Sequence, residues 1–271
     1  MIESIPCKIC TSDSNITFHS GWVGQPTTFP YYSCSNAKCG FLQTNYLDNL
    51  SEEQVSDIYS SYWNEYTGTG EGRSQLPLEK VKLAEMLIPD VRKVLDIGSG
   101  EGWGVKTLQE SGYEAYGYDI ASPKMCHDSI SVGSRDIVSG QYDVVTAVEV
   151  MEHLTDPIEA CQWISRLVRP EGVFAFSTST FNSKKHDSSW WYLKQVGHIS
   201  LHTRSSLNLL ARATGFRVVA SIFSTHVWVH SDTVPLGSGS RIKLKHALKK
   251  ALDKKSYRIL KARMKNYGIE K

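Results

Sequence analysis

From residue 93 onward, short apolar runs rich in β-branched residues alternate with segments whose apolar positions recur every three or four residues. The strand-like runs are VLDIG (94–98), EAYGYD (114–119), YDVVTAVEV (142–150), GVFAFSTST (172–180), FRVVASIFS (216–224) and HVWVHS (226–231). Helical periodicity appears near 103–111, 157–168 and 204–213, with a further short segment at 122–130. Such alternation predicts an α/β fold, a mostly parallel sheet covered by helices on both faces. Upstream, SEEQVSDIYSSYW and LPLEKVKLAEMLIP read as two helices split by the glycine-rich TGTGEGR. Ser51 with Gln54, Asp156 with Pro157 and Glu159, and Thr203 mark helix starts, and Gly215 marks a helix end.

The densest chemistry sits at residues 93–104, KVLDIGSGEGWG. A strand runs into Gly98, Gly100, Gly102 and Gly104 and then into a helix, so backbone can approach a ligand at a helix N-terminus. Counting from Gly98, the third glycine of a dinucleotide G-x-G-x-x-G falls on Trp103, and that fingerprint fails. Asp96 at the strand end would repel a pyrophosphate, yet suits the ammonium of an amino acid. Tyr118-Asp119 closes the next run with an acid able to accept from a ribose diol.

Taken together, Asp96, the glycine turn and Asp119 resemble the class I S-adenosylmethionine-dependent methyltransferases. The resemblance implies a Rossmann-like sheet of seven strands with the last antiparallel. It also implies cofactor contacts from Asp96, Gly98, Gly100, Gly102, Asp119 and Glu149. About two dozen residues separate Asp119 from YDVV, so the usual third strand and its helix must be shortened. Asp136, in SRDIV, is the candidate for the acid that meets the adenine amino group in relatives. The string Glu149-Val150-Met151-Glu152-His153-Leu154-Thr155-Asp156-Pro157 resembles a loop that borders the transferred methyl group. In some relatives E-x-x-E-H, with a distant His, holds a divalent metal; Glu149, Glu152 and His153 match it, and otherwise the two acids shape the cofactor pocket.

The long connection FNSKKHDSSWWYLKQVGHISLHT (181–203) follows the fifth strand, where α/β folds place substrates. Trp190 and Trp191 are either a platform for a sugar or another flat face, or anchors that pin the loop. The following GHISLHT segment resembles sugar methyltransferases, many with an N-terminal zinc ribbon. Methyl transfer from a sulfonium needs no acid, because the leaving group departs neutral. A sugar hydroxyl does need a base, for which His198 is the first candidate and His153 the second. His202, four residues on, does not sit in a helical pattern, which argues against an H-x3-H metal pair.

Cys7-x2-Cys10 and Cys34-x4-Cys39-Gly40 place four of the six cysteines in two knuckle-like pairs. The N-terminus MIESIPCKIC lacks the pattern of an export signal, and reduced thiols with metal are expected, as one structural Zn(Cys)4 site. A redox-active C-x-x-C competes, but would not require the second pair. Cys126 and Cys161 fit no ligand spacing.

At 271 residues, with 41% hydrophobic and 21% charged residues, the chain is that of an ordinary folded protein, and no run is long and apolar enough to span a membrane. A cytoplasmic location is expected. The organisation expected is a zinc ribbon at 1–50, a helical lead-in and candidate lid at 51–92, a methyltransferase domain at 93–232, and a linker with a basic tail at 233–271. The net charge of +2 hides an asymmetry, since residues 241–271 hold 12 Lys/Arg against Asp253 and Glu270. Leu244, Leu248, Leu252 and Ile259 share a helical face there, which reads either as a solvated helix or as one lying on an anionic membrane. The acidic body argues against nucleic acid as a partner. A small-molecule or glycan acceptor is expected.

Overall fold

The computed structural model describes residues 4–24, 27–48, 50–51, 53–55, 57–58, 70–88, 90–120, 129–132, 135 and 138–230. Asp136, Cys126, residues 67–69 of the candidate lid and the basic tail lie outside the described residues.

The chain opens with four short antiparallel strands: β1 (Ser4–Pro6), β2 (Asp13–Ser20), β3 (Phe29–Cys34) and β4 (Leu42–Gln43). A fifth strand of this small sheet comes from far along the chain. It is β10 (Ser200–Leu201), antiparallel to β4 with Ser200 opposite Gln43 and Leu201 opposite Leu42. The apolar side chains explain this union. Trp22, Phe29 and Tyr31 are too few to exclude water alone, and they are buried in one cluster with Phe181, Tyr192 and Ile199 of the 181–203 connection.

The larger sheet is built from β5 (Lys93–Ile97), β6 (Glu114–Asp119), β7 (Ile130–Val132), β8 (Tyr142–Val148), β9 (Val168–Ser177), β11 (Phe216–Ile222) and β12 (Thr225–His230). Its order is β11-β12-β9-β8-β5-β6-β7. β7, β6, β5, β8 and β9 are parallel, whereas β12 runs antiparallel to both β9 and β11. The third strand, β7, has only three residues, as the short interval after Asp119 requires.

Successive residues of a strand point to opposite faces, and both faces here are apolar. Val94, Val144 and Val173 pack with Val81 of α1 (Gln75–Ala84) and Leu108 of α2 (Trp103–Glu110). Leu95, Val145 and Phe174 pack with Ile164 of α3 (Pro157–Leu167) and Leu210 of α4 (Arg204–Ala213). The predicted caps are present. Asp156 accepts from the Glu159 amide at 2.9 Å, Thr203 and Ser206 form a reciprocal capping box, and Ser51 and Gln54 form another. Gly215 leaves α4 at φ +80°.

The chain leaves β5 toward one side of the sheet and returns as β8 on the other. The loops after these two neighbouring strands therefore diverge, which opens a crevice at the carboxyl end of the sheet.

Candidate active site

The first wall of the crevice is the glycine turn. Gly98, Gly100 and Gly102 all have positive φ, at 68°, 55° and 90°, and Gly102 directly precedes α2. The Gly98 and Ser99 amides both donate to the Tyr118 carbonyl, at 2.7 and 3.1 Å, which ties the turn to the end of β6. Gly98 has a second constraint, because a Cβ there would lie 2.3 Å from Val150 Cγ2. The missing side chain thus lets the Glu149–His153 loop close on the turn. Asp119 Oδ2 accepts from the Gly100 amide at 2.7 Å, so the acid at the end of β6 also fixes the turn.

Asp96 lies beneath the turn. It is buried, accepts from Thr146 Oγ1 at 2.6 Å, and has Oδ2 3.1 Å from where a Gly104 Cβ would stand. Burial pushes its pKa up to about 7, against the hydrogen bond from Thr146. Lys80, a buried cation on α1, favours the ionised form. These groups suit a ligand that carries a cation: backbone without side chains allows close approach at the turn, and Asp96 and Asp119 lie beneath and beside it.

The second wall is the loop after β8. Glu149 takes up φ +56°, a strained value for a side-chain-bearing residue, and its carboxylate accepts from Ser177 Oγ at 2.8 Å. The single 3-10 turn Met151–His153 then aims Glu152 inward. Glu152 is 0% exposed, and among the described residues neither carboxylate oxygen has a partner in hydrogen-bonding geometry. Burial, followed by the charge of Glu149, raises its pKa to about 8; the nearby hydroxyls of Tyr192 and Thr178 only soften this.

His198 faces that carboxylate, with Nε2 3.8 Å from Glu152 Oε1. Burial, then the neighbouring His153, holds the His198 imidazole well below the usual histidine range. The two rings meet edge to face at 4.7 Å. His153, half-buried, is lowered to about 4 by the protein around it. One ligand atom from each of Glu152, His153 and His198 lies within 4.8 Å of the others. An unpaired buried carboxylate beside two neutral imidazoles is a donor set that fits a divalent cation. His202 stands apart, with Nε2 3.3 Å from the Met151 carbonyl.

The 181–203 connection is better packed than its polar sequence suggests. Tyr192 is buried, its hydroxyl accepts from the Ser179 amide, and its ring meets His198 at 4.3 Å. Trp190 and Trp191 are half-buried, Trp190 stacked on His186 at 4.1 Å.

At and just past the ends of β1 and β3, the sulfurs of Cys7, Cys10, Cys34 and Cys39 all lie within 4.8 Å of one another. Cys7 and Cys39 are 3.8 Å apart, and Cys10 and Cys34 3.5 Å, with no disulfide among them. Four sulfurs bound at about 2.3 Å to one tetrahedral ion would stand about 3.8 Å apart, so the cluster fits zinc. Thr11 and Gly40, each just after the second cysteine of its pair, both have positive φ and turn the chain back. Cys161 is buried in the main core, far in character from a ligand.

This fold and crevice match known proteins. Residues 71–221 match the model of a family described as "Methyltransferase domain", and the chain belongs to that family. Over 121 residues it is 30% identical to a ubiquinone biosynthesis O-methyltransferase of Pectobacterium atrosepticum, covering 39% of this chain and 48% of that one. A relative of the same description from Methylococcus capsulatus is 32% identical over 102 residues, 32% of this chain and 43% of its own. The chain thus spans about half the length of the curated relatives it matches. The crystal structure of Streptomyces venezuelae DesVI aligns with TM-score 0.50 at 16% identity, over 65% of this chain and 98% of that one. A Burkholderia thailandensis 1,6-didemethyltoxoflavin-N1-methyltransferase aligns with TM-score 0.51 at 15% identity, over 73% and 98%. These two likenesses concern the fold. Among the described residues, no helix is long and apolar enough to cross a membrane.

Several residues of the site escape a reading of the sequence. Thr146 carries a signal, a hydroxyl in the middle of an apolar strand. Val150, Lys80 and Tyr31 carry none, because their roles depend on which distant segments meet.

Proposed function

We propose that this chain moves the methyl group of S-adenosylmethionine onto an acceptor oxygen, a sugar hydroxyl, and that His198 takes up the acceptor's proton. The observation that carries the reading is the buried meeting of Glu152 with His198 at 3.8 Å, beside the loop that borders the crevice. His198 is neutral before transfer, and Glu152, when ionised, would offset the burial that disfavours the imidazolium. The donor would sit with its amino-acid end on the Gly98–Gly102 turn, Asp96 and Asp119 supplying negative charge around it. Bound there, S-adenosylmethionine supplies an activated methyl group on a positively charged sulfur.

Oxygen as the acceptor atom is supported by the curated relatives, which are named O-methyltransferases. A sugar as the acceptor is supported by the pairing of the cysteine segment with the GHISLHT connection, and by the half-buried Trp190 and Trp191. Incubation with labelled donor and, separately, nucleotide sugars, polysaccharide extract, phenolic lipids and RNA tests the assignment. Label in phenolic lipid alone would replace the sugar reading, and label in RNA alone would remove it.

A second reading is favoured by the ligand set itself. Glu152, His153 and His198 would hold a divalent cation, which would lower the pKa of an acceptor hydroxyl. Activity that a chelator abolishes and Mg²⁺ restores selects this reading over a metal-free base. The four cysteines would hold structural zinc, and residues 241–265 would attach the enzyme to anionic lipid near a lipid-linked acceptor. Sedimentation with anionic and neutral vesicles, compared with a chain ending at Ser240, tests the attachment.

A further inference from the structure

Glu152 and His153 reach the crevice from the loop after β8, but His198 reaches it from the 181–203 connection. Gly197, just before it, has φ +78°, so the chain reverses there and His198 needs outside support to hold its direction. That support comes from the N-terminal segment. Tyr31, 0% exposed, donates its hydroxyl hydrogen to the His198 carbonyl at 2.8 Å. The Thr44 amide donates to the Ile199 carbonyl at 3.0 Å, and Ser200 and Leu201 continue the pairing as β10 on β4. On the other side, the Ile199 amide donates to the Glu152 carbonyl at 2.9 Å. Residues 198–201 are therefore clamped between the small sheet and the Glu152 loop.

We propose that Tyr31 is a positioning residue for His198, and that the four-cysteine segment is a working part of the methyl-transfer site through it. Tyr31 lies in β3, which ends at Cys34, and the Cys34 amide donates to the Phe41 carbonyl to close the β3–β4 hairpin. Thr203 Oγ1 ties the Cys39 carbonyl to the start of α4. The cysteine cluster thus sets the hairpin, the hairpin sets Tyr31 and the β4 edge, and these set the backbone of His198. The Tyr31 ring is packed against Phe18 and Phe29, where a phenylalanine would fill the same space. What a phenylalanine lacks is the hydroxyl, and burial keeps that hydroxyl protonated, hence a donor.

The placement rests on geometry alone; its consequence for turnover rests on the role given to His198 above. The test uses the full chain with Tyr31→Phe, and 4-fluorophenylalanine at position 31 as a second replacement that keeps the volume but cannot donate. The His198 ring signals, assigned by their loss in His198→Gln, are followed by NMR at one fixed pH. S-adenosylhomocysteine affinity, measured by calorimetry, reports the donor side independently. The expected result is displaced His198 signals, donor affinity unchanged, and kcat lowered by about tenfold to a hundredfold with acceptor KM little altered. Folded replacements whose His198 signals match the parent protein would overturn the inference. Displaced signals with full turnover would uphold the placement and instead overturn the role of His198 in the chemistry.

Discussion

The Glu152 carboxylate and the His198 imidazole meet 3.8 Å apart in the protein interior, and among the described residues neither oxygen of the acid has a partner in full hydrogen-bonding geometry. A buried carboxylate without a donor destabilises the fold, so its retention points to use. Glu152→Gln keeps the shape and removes the ability to ionise. Turnover should fall by about a hundredfold or more, with unchanged calorimetric affinity for S-adenosylhomocysteine. The melting temperature at pH 8 should hold or rise. A clear loss of stability at that pH would show that the carboxylate is satisfied in a way this geometry omits.

Gly98 tests the closure of the two walls. In Gly98→Ala the methyl group would meet Val150 Cγ2, and the residue would be held at a left-handed φ that costs a non-glycine residue about 1–2 kcal/mol. Donor affinity should fall by about tenfold or more, given the tenfold per 1.4 kcal/mol relation. Adding Val150→Ala to that background should recover the part due to the clash and leave the part due to φ. Calorimetry on the single and double variants separates the two.

The raised Asp96 pKa sets a pH dependence. Its folded value of about 7 lies above the usual 3.8, so the folded protein holds this proton more tightly than the unfolded chain. The stability this contributes is fully present below pH 3.8 and is lost as the pH rises to about 7. Asp96→Asn does not titrate. The variant should therefore gain on the parent protein between pH 4 and 7, by at most about 1.4 kcal/mol per pH unit, and then level off. Urea melts of the donor-free proteins at a series of pH values would show it. A gap that stays constant with pH would mean that Asp96 ionises normally.

Zinc in the cysteine cluster leads to a stoichiometric expectation. Elemental analysis of gel-filtered protein should find about one zinc per chain. Cys39→Ser should lower that content and the melting temperature together, because binding free energy at such a site is folding free energy. Fully folded protein without metal would end this reading.

The main sheet was legible in the sequence because its strands obey local rules: apolar alternation, caps such as Asp156 and Thr203, and glycines where the chain turns. The place of Asp119 at the end of a strand was legible, but its bond to the Gly100 amide was not. The grouping of Glu152 with His198 depends on residues 46 positions apart meeting through the Ile199 amide. Nothing local marks that contact. The N-terminal segment was read as a separate ribbon for the same reason. Its fifth strand, two residues long and without a pattern of its own, exists only where Leu42 and Gln43 offer an edge.

That edge has a consequence for how the polypeptide is made. On the ribosome, Leu42 and Gln43 emerge early, and their free amides and carbonyls wait for Ser200 and Leu201. An open strand edge next to buried aromatic residues is a template for wrong pairing, including with a second nascent chain. Early capture of metal by the four thiols would hold the hairpin in register through that interval. A protein trimmed to residues 71–221 would never meet β4, and would carry the donor turn beside an unsupported His198.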